Sequence, residues 1–396
     1  MDFKFTPEQE ALRKEFEEFC REEAKRAPEG WRGGPGVEEE SDEAWAYHRS
    51  IVQKVAEKGW LRLPWPKEYG GQGYGPVEQL IFSDVTAYYR IPAVPMHFMA
   101  VAAAILAYGT DEQKREWLPK ISRGEICWTE CFSEPDAGSD LASLKTSAVA
   151  DGDDYVINGQ KTWTSGAHHA DHVFILARTD PDPSKRHRGL SFFINKLGGP
   201  GIEFRPLLYM NGSYIHNETF FNNYRVPKRN MIGEINQGWY TMMAARNFAR
   251  ANIMMPAWGK RDLEDLIKYC RETQGNGDIL SRKPLFRQRL AEFAIEYDAS
   301  LKFAYHVGWL QSQGQDVAAE AAGCGYFANE LNIRLANFAV EIMGLYGTVK
   351  QEAKWAPLFG RFQDLCQWTC GLALAGGTTE VKKNVIAWQG LKLPRT

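Results

Sequence analysis

Gly124-Glu-Ile-Cys-Trp-Thr-Glu-Cys-Phe-Ser-Glu-Pro-Asp-Ala-Gly-Ser-Asp-Leu-Ala-Ser-Leu-Lys-Thr146 decides how this chain is read. It begins as a short apolar strand and breaks into a turn rich in Pro, Gly, Ser and Asp. Ser133 and Ser139 place hydroxyls beside backbone that Gly138 leaves unshielded, a surface suited to close contact with a large polar ligand. Downstream stands Tyr155-Val-Ile-Asn-Gly-Gln-Lys-Thr-Trp-Thr-Ser165. Its Asn158-Gly159 step between apolar runs predicts a hairpin, and the second arm carries Trp163. Taken singly, a Ser/Gly turn is an ordinary turn and a Trp in a strand is an ordinary core residue.

Together, and in this order, these two stretches resemble the flavin-binding middle domain of the acyl-CoA dehydrogenases. The resemblance implies that Phe132, Ser133, Gly138, Ser139, Trp163 and Ser165 hold the isoalloxazine side of FAD, with Ser139 also facing substrate. One position departs from the family: Phe132 stands where a smaller aliphatic residue is usual.

Composition sets wider bounds. A chain of 396 residues exceeds one ordinary core, so two or three subdomains are expected. Apolar residues make up 44% and charged residues 24%, as in a globular protein in water. A net charge of -3 gives no electrostatic footprint for nucleic acid or an acidic membrane. The 7 cysteines include Cys127/Cys131 and Cys366/Cys370, neither pair having a His or Cys neighbour to complete a zinc site. No metal is expected, and free thiols point to a reducing compartment. The N-terminus has no basic-apolar signal segment and no stretch approaches a membrane span, so the expected location is cytoplasmic.

Along the chain the hydrophobic period changes twice. Thr6-Pro-Glu-Gln9 and Thr110-Asp-Glu-Gln113 are capping boxes opening helices. Further helices are expected over 45–58, 77–89 and 95–108, the last with Pro95 in its first turn. Short strands then occupy a middle block containing Val156, Ile157, Val173–Leu176 and Phe192–Ile194. Helical periodicity returns over 238–271, 283–311, 318–344 and 358–371, with a last helix over 378–390. The expected fold is α+β in three segments. A helical domain spans 1–124, a small β domain 125–235 and a helical bundle 236–396. Propensity does not single out this fold; the order of elements matches the family's helical domain, β domain and C-terminal four-helix bundle.

Gly376-Gly-Thr-Thr-Glu380 opens the last helix, where glycines free N–H groups for a polar ligand or simply cap the helix. The resemblance gives Gly377, Thr378 and Glu380 the adenine side of FAD. Gly344-Leu-Tyr-Gly347 is similar to the turn through which a neighbouring subunit touches FAD, which implies a homotetramer. Arg271 keeps the Arg of the family's Arg-x-x-Phe-Gly clamp, but Arg271-Glu-Thr-Gln-Gly275 lacks its Phe.

The family's chemistry needs a carboxylate base for the proton α to the thioester. It sits at one of two positions, which here are Gly376 and Ala249, beside Arg250. Neither carries a carboxylate. Three residues are candidates for the catalytic gap: His97, titrating near neutral pH; Glu130, on the flavin strand; and Arg90, which resembles an arginine that receives a distal substrate carboxylate. Arg90 and Arg250 are the further substrate-binding candidates.

The resemblance therefore implies an FAD-dependent oxidoreductase acting on a bulky, cyclic or acidic acyl-CoA through a relocated base, with electron-transfer flavoprotein or a similar acceptor. A non-catalytic partner subunit of a mixed oligomer is the alternative, favoured by the missing carboxylates. A third is loss of a β-leaving group without α-proton abstraction.

Overall fold

Thr6 and Thr110 each accept a hydrogen bond from the N–H three residues on, at Gln9 and Gln113, and each glutamine side chain accepts in return from the cap's own N–H. These two boxes open α1 (Pro7–Ala24) and α5 (Asp111–Ser122) as the sequence predicts. Between them lie α2 (Asp42–Glu57), α3 (Pro76–Tyr88) and α4 (Phe98–Tyr108). The computed structural model describes residues 4–395 except 35, 40, 96, 248–250, 276 and 352.

The chain carries an N-terminal helical domain, a middle β domain and a C-terminal helical domain. Its middle strands are β1 (Trp128–Cys131), β2 (Ser147–Asp151), β3 (Asp154–Ser165), β4 (His172–Arg178), β5 (Leu190–Lys196), β6 (Ile202–Leu207), β7 (His216–Pro227) and β8 (Met231–Ile232). They form one sheet in the order β6-β7-β3-β2-β4-β5-β8, with β1 running parallel to β4. The helices that follow are α6 (Gly238–Asn247), α7 (Met254–Glu272), α8 (Pro284–Ser312), α9 (Ala318–Met343), α10 (Arg361–Trp368) and α11 (Thr379–Val385).

By contacts the chain divides into two compact units that interleave along the sequence. The first comprises Met1–Val37, Tyr74–Pro92 and Arg250–Thr396, so α1 and α3 pack with the C-terminal helices. Its apolar clusters run through Leu263, Leu266, Phe293, Leu331 and Phe338, and through Ala87, Leu301, Val307 and Cys324. The second comprises Glu38–Gly73 and Ala93–Ala249 and contains the sheet. Its core alternates inward along the strands at Ile157, Val173, Ile175, Phe193, Phe221 and Val226. Among the described residues no helix is long and apolar enough to cross a membrane.

Three sequence expectations are corrected. The predicted hairpin at Asn158-Gly159 is absent: the residues on either side, Ile157 and Gln160, both pair with β7 rather than with each other. Asn158 Oδ1 instead accepts from Asn223 N–H at 2.8 Å, and Gly159 (φ 149°) lies so close to Thr146 that a Cβ would stand 2.5 Å from its Oγ1. The reversal falls earlier, between Asp151 and Asp154, where Gly152 takes φ 59°. Second, α4 does not start at Pro95, because His97 adopts a left-handed φ of 60° and the helix begins after it. Third, the continuous helix expected over 238–271 is two helices, α6 and α7, with Asn252 left-handed (φ 45°) just before the second.

Candidate functional site

In the second unit the site grows from the end of β1. Past Cys131 the chain leaves the sheet and turns through Glu134–Ala137, and Thr162 N–H donates to Ser133 C=O at 2.9 Å. The turn is clamped from inside. Glu134 is buried and accepts from Lys145 N–H, Thr146 N–H and Lys161 Nζ at 2.6, 2.8 and 2.9 Å. Lys161, fully buried on β3, also donates to Phe132 C=O at 2.9 Å. Burial pushes the Glu134 carboxyl up, but Lys161 and the amide donors outweigh it and hold it below its ordinary range. Neither residue was singled out from the sequence. Glu134 sits inside the quoted turn, and a lysine flanked by strand residues was the available signal.

Trp163 stands out from the sheet for a geometric reason. Between Lys161 and Thr164 the β3–β7 register slips, so β3 carries one extra residue against β7. That bulge puts Trp163 at φ 62° and leaves it 56% exposed, unusual for an indole in a strand. Gly138 and Ser139 are likewise exposed, and no described atom lies within 4 Å of a Cβ placed on Gly138. An open glycine turn beside a projecting indole fits a planar cofactor with a polar edge. Phe132 does not belong to that surface: its ring is buried against Phe174 and Phe192, at centroid distances of 5.3 and 6.0 Å. The larger residue at this position extends the core, so its assignment to cofactor contact is corrected for the side chain.

The same unit brings two catalytic candidates together. His97, at the start of α4, has Nδ1 3.8 Å from Glu130 Oε2 on β1, both side chains half-buried. The His97 ring meets Phe174 edge-on at 5.5 Å, and Phe174 is the β4 partner of Glu130. Nearby, Ser165 Oγ lies 3.1 Å from His216 Nε2, while His216 Nδ1 lies 2.6 Å from Tyr209 Oη. His216 also meets the Trp163 ring edge-on at 6.0 Å. Burial, and secondarily His97, lowers the His216 imidazole to about 4, and burial raises the Tyr209 phenol to about 12. Sequence reading missed His216 and Tyr209 because neither lies in a recognisable motif.

In the first unit, Thr378 caps α11 by accepting from Val381 N–H at 3.2 Å. Gly376 and Gly377 approach it at φ 64° and 95°, and Glu380 is exposed in the first turn. This turn sits against the middle of α9, where Thr379 Oγ1 donates to Glu330 Oε1 at 3.3 Å. Gly344 and Gly347 lie at the C-terminal end of the same helix. Fourteen residues separate Glu330 from Gly344, a rise of about 21 Å along a helix. One chain therefore does not bring the two glycine turns together. Arg271 is exposed in the last turn of α7, and its neighbour Cys270 shares an apolar cluster with Met343, next to Gly344.

Arg90 is corrected. Its Nη2 donates to Asp262 Oδ1 at 2.6 Å and Asp265 Oδ2 at 2.7 Å, and Trp31 Nε1 donates to its carbonyl at 2.9 Å. Two α7 carboxylates already engage this guanidinium, Asp262 shared with Arg361 and Asp265 with Arg261, so its Nη2 is held inside the helical unit and the substrate-acid role is corrected. Ala249 and Arg250 lie outside the described residues.

Matches to known proteins agree with this architecture. The chain matches the acyl-CoA dehydrogenase N-terminal domain over residues 6–125, the middle domain over 129–224 and the C-terminal domain over 236–391. It belongs to the acyl-CoA dehydrogenase family. Acyl-CoA dehydrogenase FadE26 of Mycobacterium tuberculosis is 35% identical, over 100% of this chain and 99% of that protein. Among solved structures, the ChsE4-ChsE5 complex from Mycobacterium tuberculosis superposes with a TM-score of 0.86 at 34% identity, over 100% of both chains. The Tcur3481-Tcur3483 steroid ACAD gives 0.86 at 30% identity, also over 100% of both. Members of the acyl-CoA dehydrogenase family are flavin-dependent oxidoreductases acting on acyl-CoA, and this chain is acyl-CoA dehydrogenase-like.

Proposed function

We propose that the protein binds FAD and oxidises the α,β bond of a bulky acyl-CoA, with the His97–Glu130 pair taking the place of the missing family carboxylate. The observation that carries this reading is their 3.8 Å approach in a chain with Gly376 and Ala249 at the two usual base positions. FAD, when bound, accepts the hydride from the β carbon. The chain's own part is to remove the α proton: Glu130 is the acceptor, with His97 beside its carboxylate. Trp163 would cover one face of the ring, and the open turn at Ser133–Ser139 would line its polar edge. The large acyl group is supported by likeness to a steroid ACAD. The acidic acyl group loses its residue, because Arg90 is already paired with Asp262 and Asp265.

The test is anaerobic titration of the purified yellow protein with acyl-CoAs, following flavin bleaching. Glu130→Gln is expected to slow bleaching by roughly 10²–10⁴-fold, with flavin content unchanged. Equal bleaching in wild type and Glu130→Gln would rule out the relocated base.

A second reading has its own support. One solved relative is the ChsE4-ChsE5 complex and another carries the paired name Tcur3481-Tcur3483, and the glycine turns at Gly344 and Gly377 are set about 21 Å apart along α9. Both fit a mixed oligomer in which this chain lends part of a flavin site and a partner supplies the carboxylate. A protein that is colourless alone, and yellow only with a second chain, would favour it.

A further inference from the structure

His216 makes two contacts, one at each ring nitrogen: Tyr209 Oη at Nδ1 and Ser165 Oγ at Nε2. A neutral imidazole carries one N–H, so one contact is accepted and the other donated. The ring's surroundings favour neutrality. It is half-buried, Trp163 lies edge-on to it, Tyr209 meets one ring nitrogen, and His97, which approaches Glu130, opposes a positive charge on it. Two directions of bonding remain. A phenol is a stronger donor than acceptor, and the 2.6 Å contact matches an O–H donor rather than an N–H donor. Tyr209 therefore donates to Nδ1, and Nε2–H donates to Ser165 Oγ.

This direction has a consequence for Ser165. Its oxygen receives the imidazole proton, and its carbonyl is taken by Thr129 Oγ1 at 2.7 Å. No described residue accepts the hydroxyl proton, which is left for a ligand. We infer that Tyr209, His216 and Ser165 form a one-way donor chain that presents the Ser165 hydroxyl as a fixed hydrogen-bond donor to the ligand beside Trp163, with His216 as the positioning residue. The ligand end rests on the flavin reading above. Facing a flavin atom that gains negative charge on reduction, a donor held there would stabilise the reduced form and so raise the flavin's reduction potential.

Two measurements test this. In the full-length protein with ¹⁵N-labelled histidine, His216 is assigned by loss of its signal in His216→Gln. At pH 7 it should be the neutral Nε2–H tautomer, with or without flavin. The Nδ1–H tautomer or a charged ring would overturn the inference and leave the flavin reading standing. In the flavin-loaded protein, Tyr209→Phe and Ser165→Ala should each weaken two-electron reduction about tenfold, or about 30 mV, while the double variant falls no further. Additive losses would overturn the coupling. The Nε2–H tautomer in a protein that takes up no flavin would support the donor chain and sink the flavin reading instead.

Discussion

Arg90 and Arg361 donate to the same oxygen: Asp262 Oδ1 lies 2.6 Å from Arg90 Nη2 and 2.5 Å from Arg361 Nε. Arg361 is buried and also donates to the carbonyls of Arg32 and Gly33, while Arg32 pairs with Asp364 at 3.0 Å. Asp262 is the hub of an ionic cluster joining residues far apart in sequence.

Asp262→Asn should therefore cost more than a surface substitution. It leaves two guanidiniums short of charge compensation, and the expected loss is roughly 3–5 kcal/mol. The urea midpoint reports it directly. Arg90→Met should also destabilise, and should alter binding of acidic and neutral acyl-CoAs equally. A selective loss for the acidic ligand would restore Arg90 to the substrate site.

Lys161→Met strands the Glu134 carboxylate in the core, and Glu134→Gln strands the ammonium. Each should destabilise by roughly 3–5 kcal/mol. The double variant should lose less than the sum of the two, since each partner's main penalty is the other's solitude. Additive losses in chemical denaturation would show that the pair is not coupled.

Stability should also fall on mild acidification. The unfolded chain protonates His216 near 6.5, whereas the folded chain does so only at about 4. The unfolded state thus binds more protons between those values, and stability is lost as pH drops through that window. His216→Gln should flatten this part of the profile relative to wild type. An unchanged slope would locate the titration elsewhere.

Gly376→Glu restores a carboxylate at one family position. The backbone there has φ 64°, so a side chain is strained by about 1–2 kcal/mol. There is room for it, since no described atom lies within 4 Å of the added Cβ. A folded variant with slightly lower Tm should bleach faster with a simple saturated acyl-CoA, by up to about 10²–10⁴-fold. No acceleration would argue that the pocket is shaped for another reaction.

Much of the fold was legible because its signals are local. The two capping boxes depend on residues three apart, and the helix beginning at Pro284 needs only its period and its proline. What misled the reading was decided at long range. Asn158-Gly159 has hairpin chemistry, yet β7 pairs with both of its flanks. Arg90 looked like an exposed anion site at a helix end, and only the fold brings Asp262 and Asp265 to it. The approach of His97 to Glu130 depends on a left-handed residue at 97 that its own type does not demand. His216 and Tyr209 meet through side chains, with no spacing to announce them.

The interleaving of the two units sets an order of events during synthesis. Every segment of the sheet-bearing unit has been made once residue 249 emerges. The helical unit must wait, because its first two segments pack on helices translated last. Arg32 finds Asp364 only when nearly the whole chain exists. Until then α1 and α3 keep apolar faces without their final partners, a period when a nascent chain is open to aggregation or chaperone capture. Ribosome-bound chains halted far enough downstream that residue 250 has cleared the exit tunnel should already protect the sheet from protease, while α1 stays open to cleavage.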